Sequence, residues 1–139
     1  MIVVDTSALF AVFDADHPRH GAVRKAFDAE RGPFLLSCFV IAEVDYLLAT
    51  RIGVRAELTF LKSVAEGEYH LEAFGPDEIA VMHDLIARYE DLDLGLTDVS
   101  LVVLAERAST NRILTLDERH FRVVRPLRGR AFTILPADA

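Results

Sequence analysis

The 139-residue sequence has no tryptophan, only two lysines and a single cysteine. One cysteine excludes an internal disulfide and a zinc site made of several thiolates. Cys38 lies in the apolar stretch Phe34–Ile41, which predicts a buried structural thiol in a reducing cytoplasm. Neither lysine, Lys25 or Lys62, follows a glycine-rich loop, so the chain does not have the phosphate-binding loop of P-loop nucleotide hydrolases.

Other signatures are missing as well. The sequence has no dinucleotide-binding Gly-x-Gly-x-x-Gly, no Gly-x-Ser-x-Gly nucleophile motif and no His-Glu-x-x-His zinc motif. Its five histidines form no metal-spaced pair on a predicted helix, so surface positions or local hydrogen bonds are expected for them: His17, His20, His70, His83 and His120. No apolar run approaches the length of a membrane span, and no basic leader precedes the first apolar residues. We therefore predict a cytoplasmic protein that is not embedded in a membrane.

The size and composition fit a single α/β domain over residues 1–139. Hydrophobic residues make up 52% of the chain, enough for one real core. The net charge of -7 disfavours simple electrostatic docking on nucleic acid or an anionic membrane. The charge is uneven, because residues 107–139 hold seven of the 15 basic residues and only three of the 22 acidic ones. Residues 1–106 are therefore acidic overall, and residues 107–139 form a basic tail.

The first nine residues predict a buried strand followed by a helix. Ile2–Val4 is a short β-branched run, typical of a strand buried on both faces of a parallel sheet. Asp5 ends it, and Thr6 or Ser7 can cap the helix that follows. Taken alone, Asp5 is best explained as a solvated or capping carboxylate at a turn. The edge where such strands end is nevertheless where ligands bind in open α/β sheets.

The rest of the chain alternates strands and helices, which predicts one parallel-sheet domain. Further strands are expected at 34–36, 69–74, 113–116 and 131–135, the last at an edge of the sheet. Helices are expected at 19–30, 37–52, 54–66, 77–89 and 99–108, with Ser37 and Thr97 as caps.

Four acidic residues have related settings in this pattern. Asp5 and Asp117 follow strands, Asp98 lies in the first turn of a helix, and Glu43 lies inside an apolar helix, on its solvent stripe or pointing into a site. Parallel strands would bring these carboxylates to one edge, where their repulsion and desolvation require protonation or a cation. Oxygen ligands favour Mg²⁺ or Mn²⁺ over zinc, and Mg²⁺ commonly serves phosphodiester chemistry.

Four blocks of the sequence together resemble the successive motifs of PIN-domain ribonucleases, specifically the VapC-type toxins. The blocks are Met1–Leu9, the strand and helix that contain Glu43, Leu92–Arg107 and Ile113–Phe121. The resemblance implies a three-layer α/β/α sandwich with a mainly parallel sheet. It also implies an endoribonuclease that uses Mg²⁺ or Mn²⁺ and a water activated by the metal to hydrolyse RNA.

The resemblance further assigns roles to individual residues and partners. It places Asp5, Glu43, Asp98 and Asp117 in a catalytic, metal-binding pocket, with Thr6, Ser7 and Thr97 as supporting hydroxyls that capping explains equally well. It implies a VapB-type antitoxin that blocks the pocket, and a homodimer formed through helical faces. Asp93 lies near the pocket in sequence, where it is either a supplementary ligand or a solvated loop residue, and its acidic, irregular surroundings favour the loop residue.

The basic tail is a candidate RNA contact, because its arginines are accompanied by an aromatic residue, Phe121. The arginines concerned are Arg119, Arg122, Arg125 and Arg128. Two other functions stay open from sequence: a catalytically silent PIN-like module that binds RNA or a partner, and a Mg²⁺-binding phosphoacceptor receiver domain. The receiver domain would need a lysine at a late strand end, where this chain has none.

Overall fold

A five-stranded sheet forms the centre of the computed structural model, which describes residues 1–139. The strands are β1 (Ile2–Val4), β2 (Phe34–Ser37), β3 (His70–Glu72), β4 (Arg112–Leu114) and β5 (Thr133–Leu135). Their order is β3-β2-β1-β4-β5, and every neighbouring pair is parallel. In the centre, Val3 lies between Leu35 of β2 and Ile113 of β4. The predicted α/β class and parallel sheet are confirmed.

Seven helices cover the two faces of this sheet. They are α1 (Thr6–Phe13), α2 (His20–Ala29), α3 (Cys38–Arg51), α4 (Val54–Ala65), α5 (Pro76–Arg88), α6 (Leu96–Arg107) and the short α7 (Glu118–Phe121). Crossovers between parallel strands are right-handed in nearly all proteins, so this strand order puts α1 to α4 on one face and α5 and α6 on the other. The packing agrees, since α1 contacts α2 and α3, α3 contacts α4, and α5 contacts α6. The three-layer sandwich is therefore confirmed.

The core lies between β1, β2 and β4 and the helices on either side. One cluster of 30 buried apolar side chains includes all of β1 and half of α6. Because α6 also contacts β1 and β2, its first turn is held firmly beside the end of β1. No helix is both long and apolar enough to cross a lipid bilayer.

Several predicted boundaries and caps are corrected by the structure. Asp5 itself is the N-cap of α1, because its carboxylate accepts the Thr6 N–H at 2.7 Å, so Thr6 and Ser7 lie inside the helix. Helix α6 begins at Leu96 with Gly95 as its N-cap, which removes the capping role predicted for Thr97. Ser37 does cap α3, by accepting the Phe39 N–H.

Smaller differences have simple physical reasons. Strand β3 is limited to His70–Glu72, because it lies at the edge of the sheet and pairs with β2 alone. The sequence pattern did not predict α7, whose single turn is too short to show helical periodicity. Cys38 is partly exposed rather than buried, since it is the first residue of α3.

Arg107 joins three elements at the margin of the fold. Its guanidinium donates to the carboxylates of Glu72 and Glu78 and to the carbonyl oxygen of Ala73. It also lies 4.9 Å from the centroid of the Phe74 ring. These contacts connect the end of α6 to the edge strand β3 and to the start of α5.

We expect Arg107→Ala to lower the free energy of unfolding by about 1–2 kcal/mol, since several charge-assisted hydrogen bonds are lost at a site partly screened by water. Arg107→Lys should recover only part of this, because an ammonium lacks the planar fork. Urea denaturation measures both effects. Arg88→Ala is the matched control, because Arg88 is exposed and makes no ion pair; equal losses in both variants would contradict the expectation.

Candidate active site

Four carboxylates line one cleft of about 570 Å³ at the carboxyl edge of the sheet. Asp5 directly follows β1, Asp117 follows β4 by three residues, Asp98 lies in the first turn of α6 and Glu43 lies on α3. The cleft opens between β1 and β4, where the strand order reverses, and this is the position at which open α/β sheets bind ligands. The structure thus brings all four predicted acids together.

Asp5 is the most buried of the four, with 4% of its surface exposed. Its Oδ1 accepts the Thr6 N–H at 2.7 Å. Its Oδ2 accepts the hydroxyls of Ser7 at 3.0 Å and Thr115 at 2.6 Å. These three donors fix the carboxylate in one orientation at the floor of the cleft.

Thr115 is a positioning residue that the sequence pattern did not predict. It is 1% exposed, and its Oγ1 accepts the Asp117 N–H at 2.9 Å while its hydroxyl donates to Asp5. Ser7 makes a parallel connection, because its Oγ accepts the Leu116 N–H at 2.9 Å. The two hydroxyls therefore join the ends of β1 and β4. The available signal was a polar residue inside the apolar run Ile113–Leu116.

Asp98 completes the first turn of α6 and faces Asp5. Its Oδ2 accepts the Gly95 N–H at 2.9 Å, which satisfies one free donor of the helix start. Burial raises the pKa of Asp98, and the charges of Asp117 and Glu43 add to this rise. Burial, together with the charge of Asp98, raises the pKa of Asp5 to about 6 despite its three hydrogen bonds. The cleft thus holds carboxylates whose negative charge is poorly compensated.

Asp117 is held by the short helix α7. Its Oδ1 accepts the His120 N–H at 3.1 Å, and its Oδ2 lies 2.6 Å from His120 Nδ1. Ligand atoms of Asp98, Asp117 and His120 all lie within 4.8 Å of one another. The local hydrogen bond expected for His120 is present, but its place beside two site carboxylates was not predicted, because it depends on α7.

The other predicted site residues differ in position. Glu43 lines the cleft although its side chain is exposed, so both settings left open by the sequence apply to it. Thr6 and Ser7 line the cleft as well.

Thr97 does not line the cleft, and its carbonyl oxygen accepts the Ser100 hydroxyl at 2.6 Å instead. Asp93 is exposed in a left-handed conformation outside the cleft, in agreement with its interpretation as a loop residue.

The arginines of the tail fall into two groups. Arg122 pairs with Asp138 and Glu118, and Arg128 pairs with Glu106, so these guanidiniums balance local carboxylates. Arg119 and Arg125 are exposed and make no ion pair. Arg119 is two residues after Asp117 in the sequence, and Asp117 lines the cleft.

The donor set of the cleft fits a hard divalent cation. Carboxylate oxygens predominate, His120 is the one imidazole grouped with the carboxylates of Asp98 and Asp117, and no thiolate lines the cleft. The Thr6 Oγ1 atom is buried without a hydrogen-bond partner although Thr6 lines the cleft. Clustered carboxylates with raised pKa values gain most from a cation, because it removes both their repulsion and their need for protons.

Comparison with known proteins agrees with this fold and identifies the family. A family model for the PIN domain matches residues 2–126. The chain is 44% identical over 135 residues to Ribonuclease VapC26 of Mycobacterium tuberculosis, an alignment that covers 97% of this chain and all of the relative.

Two crystal structures have a similar fold at low sequence identity. VapC20 of M. tuberculosis, described as a toxin that cleaves the sarcin-ricin loop, superimposes with a TM-score of 0.76 at 19% identity, over 81% of this chain and 87% of VapC20. FitAcB of Neisseria gonorrhoeae gives a TM-score of 0.62 at 15% identity, over 83% and 86% of the two chains. With the family model and the 44% identical relative, these findings confirm the resemblance: the chain belongs to the PIN-domain family, in its VapC group.

Proposed function

We propose that this protein is a divalent-metal-dependent endoribonuclease that acts as the toxin of a toxin–antitoxin pair. The observation that carries the proposal is the convergence of Asp5, Glu43, Asp98 and Asp117 in one cleft. It occurs in a chain that is 44% identical to a protein named as a ribonuclease. Neither a silent binding module nor a receiver domain accounts for the four-carboxylate set as well, because neither needs all four acids.

Mg²⁺ or Mn²⁺ is the cofactor we propose, held by Asp5 and Asp98, with Glu43 and Asp117 completing the set. When bound, such an ion neutralises the carboxylates, activates water and stabilises the charge that develops on the phosphate. Ser7, Thr115 and the Thr6 N–H orient the Asp5 carboxylate, as their hydrogen bonds to it indicate. The Gly95 N–H holds Asp98 Oδ2 in the same way.

Glu43 is the group we propose to orient the attacking water, because it is the most exposed of the four acids and lines the cleft. A carboxylate oxygen of Glu43 accepts a proton as the water attacks phosphorus. Asp117 is oriented by His120, which fixes both of its oxygens. Since water is the nucleophile, the RNA 2′-hydroxyl takes no part, and the products carry a 5′-phosphate and a 3′-hydroxyl.

Partners follow from the same proposal. A VapB-type antitoxin would obstruct the acidic cleft with a basic side chain, since the charge of the cleft attracts one. We further propose a homodimer that uses the α3–α4 hairpin, where the apolar side chains Tyr46, Val54 and Leu58 are exposed. In the tail, Arg119 and Arg125 are the proposed RNA contacts.

Cleavage of total cellular RNA by the purified protein tests the proposed activity. We expect discrete fragments in Mg²⁺ or Mn²⁺ and none in EDTA, with 5′-phosphates at the cut ends. Mapping those ends names the target RNA. If the folded, antitoxin-free protein cleaves nothing with either metal, the silent binding module is the better explanation.

A further inference from the structure

We propose that Arg19 and Arg51 form a phosphate-binding site beside the carboxylates, which holds the RNA strand next to the bond that is cut. This inference rests on the proposed nuclease function and adds a substrate-binding site to it. Arg19 precedes α2 and Arg51 is the last residue of α3. Both line the same cleft as Asp5, Asp98 and Asp117.

The two arginines are available for a ligand. Each is exposed, and neither lies within 4.0 Å of any carboxylate, although four carboxylates line the same cleft. By contrast, Arg122 and Arg128 of the tail are already engaged in ion pairs. Unpaired guanidiniums at the margin of an acidic cleft are suited to bind an anionic ligand that extends from the arginines to the carboxylates.

Aromatic rings contact the Arg51 guanidinium and the turn that carries Arg19. The guanidinium carbon of Arg51 lies 5.9 Å from the centroid of the Phe10 ring. The ring of His17 meets the same phenyl ring edge-on, with 6.2 Å between centroids. The backbone N–H of Arg19 donates to His17 Nδ1 at 3.0 Å, and this hydrogen bond fixes the turn that carries Arg19. Phe10 and His17 also line the cleft, so a base can pack against them.

A phosphodiester strand is the ligand that fits this arrangement. The planar fork of arginine matches phosphate oxygens in a bidentate geometry and is weakly hydrated. A polyanion approaching the carboxylates is repelled, and two cations at the margin offset that repulsion for the neighbouring phosphates. The carboxylates would thus act on one phosphate while Arg19 and Arg51 bind those next to it.

RNA binding without cleavage tests this site. We would measure fluorescence anisotropy of a labelled single-stranded RNA with the Asp98→Asn protein in EDTA, over a series of salt concentrations. Adding Arg19→Gln and Arg51→Gln should weaken binding about tenfold and reduce the salt slope by roughly 1.4, or about 0.7 for each phosphate that an arginine no longer neutralises. The matched control is Arg31→Gln with Arg55→Gln, two exposed arginines without ion pairs outside the cleft.

Equal affinity and salt slope in the two double variants would overturn the proposed phosphate site. Cleavage by proteins with an intact Asp98 provides a second reading, in which the Arg19 and Arg51 changes should raise KM about tenfold and change kcat little. If the unsubstituted protein cleaves RNA and both double variants match it in KM, the phosphate site is wrong and the nuclease function stands. If the unsubstituted protein cleaves nothing, the nuclease function is wrong, and the anisotropy series alone decides whether the arginines bind RNA.

Discussion

Asp98→Asn should reduce RNA cleavage at least about 100-fold and leave the fold intact. The amide oxygen of asparagine can accept the Gly95 N–H that Asp98 Oδ2 accepts at 2.9 Å, so the start of α6 is preserved. What is lost is a negative charge shared with Asp5 and Asp117, and therefore the affinity of the cleft for a cation. A cation contributes several kcal/mol to transition-state stabilisation in such sites, which sets the expected size of the effect.

Asp93→Asn is the matched control, because it removes the same charge five residues earlier. Asp93 is exposed outside the cleft with φ of 51°, a left-handed conformation that asparagine tolerates well. Its activity should stay within about twofold of the unsubstituted protein. Comparable losses in both variants would mean that total charge, rather than a carboxylate at position 98, sustains cleavage.

The sequence predicted three acids of the candidate site because Asp5, Asp98 and Asp117 each had a local signal. Asp5 and Asp117 follow β-branched apolar runs, and a carboxylate after a buried strand lies at the carboxyl edge of a parallel sheet wherever the strand is placed. Asp98 was found for a similar reason, since an acid in a first turn is fixed by its own helix. Glu43 was ambiguous because α3 is apolar around most of its circumference, and periodicity alone cannot orient a residue there.

The features that were not predicted depend on contacts between distant parts of the chain. The Thr115 hydroxyl donates to Asp5, which lies 110 residues earlier in the sequence, and no local pattern predicts that hydrogen bond. The pairing of Arg122 with Asp138 and of Arg128 with Glu106 likewise requires the folded tail. Arg19 and Arg51 come from a turn and a helix end that only tertiary packing brings to one cleft. Single residues at element ends were therefore predictable, whereas hydrogen-bonded partners were not.

The buried Asp5 carboxylate lowers the stability of the folded protein, and we attribute its presence to the proposed catalytic function. A carboxylate that is 4% exposed and faces Asp98 is an unfavourable choice for folding alone, and its pKa of about 6 expresses that cost. Three hydrogen bonds hold it in place but do not remove the desolvation penalty. Replacing the Asp5 carboxylate by a neutral group should therefore change stability and RNA cleavage in opposite directions.

Asp5→Asn should abolish metal-dependent cleavage and yet stabilise the metal-free protein at neutral pH. The folded-state pKa of Asp5 is raised from 3.8 to about 6, so its favourable contribution is fully present below about pH 4 and is lost as the pH rises through 6. The loss amounts to roughly 3 kcal/mol at most, and asparagine avoids it because an amide does not ionise. Its oxygen can still accept the Thr6 N–H, and its NH₂ group can donate to the hydroxyls of Ser7 and Thr115.

Urea denaturation in EDTA from pH 4 to pH 8 would measure the difference in unfolding free energy between Asp5→Asn and the unsubstituted protein. We expect it to be near zero at pH 4 and to reach about 1–3 kcal/mol in favour of the variant at pH 7. Millimolar Mn²⁺ should reverse the order, because binding to the native state stabilises only the protein that keeps its carboxylate. A difference that stays constant across this pH range would show that Asp5 does not titrate as the buried charge of the cleft requires.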